Sequence, residues 1–202
     1  MTGINMKTGI AAIFFILILM TEIASSQPIN EADSLNYTYI GPIISAAYNK
    51  VEYTDWFGGS VPGASTETKK MSGYIASGGL TLNIFAYDFC GDIQIKYANN
   101  FLEDTFKYIE VSAAGKYFFY QVNDYISLGA GFGIYLEIPT PGAKQNGSAG
   151  VQLPFTFLVH TTRDTKLFMD VFCRYGSFGT GTDTKSISLG TNLGFVFKVG
   201  RV

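Results

Sequence analysis

His160 is the only histidine in the chain, so any reaction that needs an imidazole base has to pass through it. Thr161, Thr162 and Asp164 follow closely, offering hydroxyls and a carboxylate of the kinds that a nucleophile–base–acid arrangement requires. A polar turn accounts for the same cluster without any chemistry, and that is the plainer reading. A second group is ionic. Asp92, Lys96, Glu110, Lys116, Asp170, Arg174 and Lys198 all fall on the same parity of their segments. They could line a conducting path, or they could pair among themselves. One histidine and the two separated cysteines, Cys90 and Cys173, cannot build a zinc site. No cofactor is expected. Gly129-Ala130-Gly131-Phe132-Gly133 lacks the spacing of a nucleotide-binding loop and sits inside an extended segment rather than before a helix.

The segments that must hold these residues alternate in polarity. Over Ser186–Val199, Ile187, Leu189, Thr191, Leu193, Phe195, Phe197 and Val199 share one side. The other side carries Ser186, Ser188, Gly190, Asn192, Gly194, Val196 and Lys198. A period of two over this length specifies a β-strand with one apolar and one polar face. The polar face is small, which suits a narrow lumen better than open water.

Seven further strands are expected, at 39–53, 72–87, 90–99, 107–120, 125–137, 150–160 and 167–176. The first is weakened by Pro42, which cannot donate to a ladder, and Pro154 is an irregularity in the sixth. Tight connections are expected at Asp88-Phe89, Gln121–Asp124 and Thr161–Lys166, alternating with longer ones. Tyrosine and phenylalanine gather near the strand ends, as interfacial girdles would. The glycines at 129, 131, 133, 190 and 194 are expected to make room for the long charged side chains. The connection Thr54–Met71 contains Trp56 and Phe57, which either anchor a partner or complete a girdle.

Composition narrows the setting. Charged residues are 15% of the chain, against about 25% in soluble proteins. The formal net charge of −2 offers no basic face for nucleic acid. Lys7, the apolar run Ile10–Met20 and then Ala24-Ser25-Ser26 form the layout of a secretory signal peptide. The run is too short for a spanning helix. Residues 1–26 are therefore expected to be cleaved, 27–36 to be a polar lead and 37–202 a single barrel domain. Met6 is as good a start as Met1. Export implies an oxidising setting, but Cys90 falls by a turn and Cys173 mid-strand on the outward parity, so inert thiols are expected rather than a disulfide.

Eight alternating segments of this length, with short turns between longer loops, are the signature of a transmembrane barrel. Over Tyr37–Val202 the chain resembles the small outer-membrane β-barrel domain family of Gram-negative bacteria. It departs from the aromatic C-terminus common there, ending Lys198-Val199-Gly200-Arg201-Val202.

The resemblance implies an all-β, eight-stranded antiparallel up-and-down barrel in the cell outer membrane. Outer-membrane lipid would surround it, the barrel-insertion machinery would be its partner in biogenesis, and the expected state is a monomer. Enzymes of this architecture include a lipid A deacylase family. Its His-x-Ser spacing is not matched here, because Thr162 follows His160 by two. A structural or surface-contact role without enzymatic activity is the leading expectation. The alternatives are a narrow porin-like channel, a lipid-modifying enzyme, or a soluble exported barrel with its apolar side inward.

Overall fold

The computed structural model describes residues 37–55, 67–101, 106–140, 148–178 and 183–201. They form β1 (Tyr37–Asp55), β2 (Glu67–Ala86), β3 (Phe89–Asn100), β4 (Phe106–Asn123), β5 (Ile126–Pro139), β6 (Ala149–His160), β7 (Thr165–Phe178) and β8 (Asp183–Arg201). Each strand pairs with the next, and β1 pairs antiparallel with β8, so the sheet closes on itself. Closure removes the two free edges that an open sheet would expose.

The alternation read from the sequence becomes an inside and an outside. Outward residues such as Ile44 (61% exposed), Leu80 (58%), Ile134 (59%) and Leu189 (60%) are apolar and uncovered. Inward Lys96, Glu110 and Asp170 are each 1% exposed. This inverts the arrangement of a soluble ligand-binding barrel. An uncovered apolar belt around the full circumference is stable only against hydrocarbon. Ring pairs on the outward side, Phe89 with Tyr117 and Tyr48 with Tyr74, lie toward opposite ends of the belt.

Both prolines that weaken the sequence pattern sit where a ladder is interrupted. The β1–β8 register runs from Ile40↔Phe197 to Ile43↔Gly194 and omits Pro42. The β5–β6 register runs from Ala130↔Phe155 to Gly133↔Gln152 and omits Pro154. Each proline keeps its pairing on the other side, Pro42 with Leu80 and Pro154 with Phe172. A missing N–H costs little where no acceptor faces it.

The turns differ in detail from the sequence expectation. The first is Tyr87-Asp88 rather than Asp88-Phe89, with Tyr87 in the left-handed region at φ 55°. The second is Asp124-Tyr125, because β4 runs on to Asn123, whose Oδ1 accepts the N–H groups of Tyr125 and Ile126 at 2.9 Å each. The third closes over Thr161–Asp164, which places Lys166 in β7. Cys90 likewise belongs to β3 and faces inward, buried, while Cys173 faces outward; both are free thiols.

Five bulky inward side chains take glycine as a register partner. Phe168 pairs with Gly194 and Phe172 with Gly190 on β8; Lys116 pairs with Gly131 and Phe118 with Gly129 on β5; Lys96 pairs with Gly79 on β2. A Cβ added at Gly194 would stand 2.3 Å from the Phe168 ring, and one at Gly190 2.6 Å from Phe172. The glycines expected to accommodate charged chains thus serve phenyl rings at least as much.

Candidate functional site

Among the described residues, chemistry-bearing side chains converge in the lumen. Strand parity aims Asp92, Lys96, Glu110, Lys116, Asp170 and Arg174 at the barrel axis, and strand register sets their heights. They assemble as two trios.

The trio toward the turn end centres on Lys116, whose ammonium lies 2.7 Å from Asp92 and 3.0 Å from Asp170. Asp92 also accepts from Thr81 at 2.8 Å and Gln94 at 2.7 Å, and Asp170 accepts from Thr156 at 2.6 Å. The trio toward the loop end centres on Glu110. It takes a two-pronged contact from Arg174, at 2.7 Å on each oxygen, and a third bond from Lys96 at 2.8 Å. The Arg174 Nε donates to Gln152 at 3.1 Å.

Asn192 joins the trios, accepting from Lys96 at 3.2 Å and donating to Asp170 at 3.4 Å. One trio has an acid in excess and the other a base, so the pair is neutral together. Charges this deeply buried persist only when paired and hydrogen-bonded, and here each of the six has an opposite charge within 3.0 Å.

Rings separate the charged layers. Along β7 the inward order is Phe168, Asp170, Phe172, Arg174. Lys116 lies over Phe168 at 5.1 Å, and Arg174 lies over Phe172 at 4.3 Å. At the turn end an apolar cluster including Tyr39, Ile43, Phe85, Cys90, Leu158, Phe168 and Val196 fills the bore. At the loop end Ala47, Val51, Ile75, Ala98, Tyr108 and Phe172 do the same. An apolar cluster thus lies toward each end of the charged layers, and each is shared with polar groups: Lys166 among the turn-end rings, and Asn49, Ser186 and Ser188 toward the loops.

His160 lies at the turn-end mouth. Its Nδ1 is 2.9 Å from the Lys166 ammonium and its Nε2 is 3.4 Å from the Ser127 hydroxyl. Lys166, 3% exposed, also sits over the rings of Phe85 at 4.7 Å and Tyr39 at 5.2 Å. An ammonium can only donate. The Nδ1 atom therefore accepts, and the ring proton is held on Nε2, facing Ser127. A serine nucleophile needs the reverse, with an unprotonated nitrogen facing the hydroxyl and an acid behind the ring. A lysine stands where that acid would be.

The neighbours named from the sequence are engaged elsewhere. Thr162 bonds Thr165 at 2.6 Å, and Asp164 lies 3.9 Å from Lys198. Sequence reasoning missed Ser127 and Lys166 as the partners of His160. Both lie on the inward parity of strands that pair directly with β6, and the register there decides the contact: Ile126↔Val159 sets Ser127 beside His160, and Lys166 is its partner on β7.

Among the described residues, no group of three or more histidine, cysteine, aspartate or glutamate side chains could hold a metal ion. Trp56 and Phe57, the candidate loop contacts, lie outside the described residues.

No protein-family model and no curated protein matches this sequence. Among solved structures it is similar to the outer membrane protein OprG from Pseudomonas aeruginosa, at 13% identity and TM-score 0.46 over 83% of this chain and 98% of that one. Neisserial surface protein A aligns at 15% identity and TM-score 0.40 over 75% and 96%. Ail, the attachment invasion locus protein of Yersinia pestis, aligns at 16% identity and TM-score 0.34 over 81% and 100%. Closed strand pairing and an apolar exterior define the barrel independently of these likenesses.

Proposed function

We propose that the chain is an outer-membrane barrel with a sealed lumen, and that it serves as a structural or surface-contact element through its outer loops rather than as an enzyme. The observation that carries this reading is the occupied bore, crossed by six paired charges with an apolar cluster toward each end. An eight-stranded barrel has an interior only wide enough for side chains, and here they are fixed by pairing. The apolar belt and the export segment at residues 1–26 favour the outer membrane. Lipid is then its surroundings, the insertion machinery its partner in assembly, and the monomer its state.

A narrow porin-like channel would need the trios and both apolar clusters to part. A lipid-modifying enzyme would need a base where the His160 proton points the wrong way. Both readings are weaker on that geometry.

Two measurements test the proposal. The full chain, refolded into planar bilayers, is expected to give no sustained conductance above the lipid baseline; stable current steps would promote the channel reading. On intact cells, single cysteines at Ser60 and Thr162 in a Cys90→Ser/Cys173→Ser background are expected to label with an impermeant reagent at Ser60 only. Recovery in the soluble fraction without labelling would overturn the membrane placement.

A further inference from the structure

The apolar belt is not uniform. Where β7, β8 and β1 run side by side, its surface dips into a groove of about 320 Å³. Ile44 and Ala46 of β1, Met169 and Val171 of β7, and Thr191 and Leu193 of β8 line it. The register explains the dip. Ala46 is paired with Thr191, and Thr191 in turn with Val171, so two small side chains stand in adjacent strands at one height. One rung over, Ile44 pairs with Leu193 and Leu193 with Met169, and these longer chains form a wall. Thr191 is also the only hydroxyl on the outward side of β8 between Ile187 and Val199.

We infer that this groove seats a single lipid acyl chain, held more tightly than the lipid around the rest of the belt. The inference rests on the membrane reading above, and that reading also names the occupant, since the groove opens into the hydrocarbon zone. A chain lying on a convex wall touches protein on one side. A chain lying here touches the floor at Ala46 and Thr191 and also the wall of Ile44, Leu193 and Met169, and dispersion contacts add with each.

The test uses the full chain refolded into phosphatidylethanolamine–phosphatidylglycerol vesicles doped with a phospholipid bearing a diazirine midway along one acyl chain. After irradiation, adducts are expected on Met169, Val171 and Leu193 at several times the yield on Phe132 and Ile134, outward residues of β5. The double variant Ala46→Leu/Thr191→Leu, which fills the dip, is expected to abolish that excess while the heat-modifiable folded band persists on gels. Even labelling around the barrel would overturn the inference, as would chain-to-chain adducts at these positions, which would seat a second copy there. A chain that never enters the vesicles fails the membrane reading itself, and the inference with it.

Discussion

Arg174 on β7 and Glu110 on β4 meet across the bore in two parallel bonds of 2.7 Å, although 64 residues separate them. The same carboxylate also receives Lys96 at 2.8 Å, so one acid is shared by two cations from opposite walls. Removing the acid and removing one base should therefore differ.

Glu110→Gln leaves Lys96 and Arg174 facing each other without a counter-charge, and is expected to lower stability by about 3–5 kcal/mol, the range for breaking a buried ion pair. Arg174→Met leaves Glu110 still paired to Lys96 and is expected to cost less. Urea midpoints of the refolded protein in detergent micelles rank the two. The reverse order would mean that the carboxylate is not the hub of its trio.

Lys166 makes the opposite case. Its ammonium touches no carboxylate among the described contacts, only His160 and two rings. Lys166→Met orphans no charge and removes one hydrogen bond, so a loss of roughly 1 kcal/mol or less is expected. A loss comparable to that of Glu110→Gln would show that the ammonium organises the turn-end mouth.

Glycine substitutions should separate by what a new Cβ meets. At Gly115 nothing lies within 4 Å, and Gly115→Ala is expected to be close to neutral, within about 0.5 kcal/mol. At Gly194 the obstacle is the Phe168 ring, so Gly194→Ala is expected to cost about 1–3 kcal/mol and to be partly relieved by Phe168→Leu. At Gly41 the obstacle is the Phe195 carbonyl at 1.9 Å, which no side-chain change can move. Gly41→Ala should therefore be the worst of the three, with no side-chain rescue. Equal midpoints for all three variants would contradict this account of the wall.

The two thiols should be chemically distinct. Cys90 is 2% exposed and Cys173 faces the belt. In the folded barrel a lipid-dissolved diazirine, whose carbene needs no thiolate, is expected on irradiation to label Cys173 and leave Cys90 intact, while a charged maleimide modifies neither. Mass spectrometry of digests reads the outcome, and modification of Cys90 without unfolding would mean that the turn-end cluster opens.

Much of this architecture was legible in the residue pattern because a barrel wall imposes the simplest of periods. The β8 alternation, the two faces and the inward aim of the six charged residues follow from parity alone. What parity could not supply was who meets whom. Glu110 and Arg174 lie on non-adjacent strands, and their meeting depends on how the wall closes. For His160 the missing information was register: its partners Ser127 and Lys166 lie on the two strands that pair with β6, while its neighbours in sequence are bonded elsewhere. Pro42 and Pro154 looked like defects because a sequence does not reveal on which side a ladder is interrupted. The turns shifted by a residue or more because local caps, such as Asn123 holding Tyr125 and Ile126, decide where a strand stops.

The glycines that face Phe168, Phe172 and Lys116 have a consequence for how such a protein can change over generations. Phe168 with Gly194, Phe172 with Gly190 and Lys116 with Gly131 are joint occupants of single rungs. Neighbouring sites of this kind do not mutate additively. In a set of related sequences the two members should vary together, bulk crossing from one strand to the next while the sum is kept. The lumen then drifts by exchange between partners, and a lone enlargement on either side is purged.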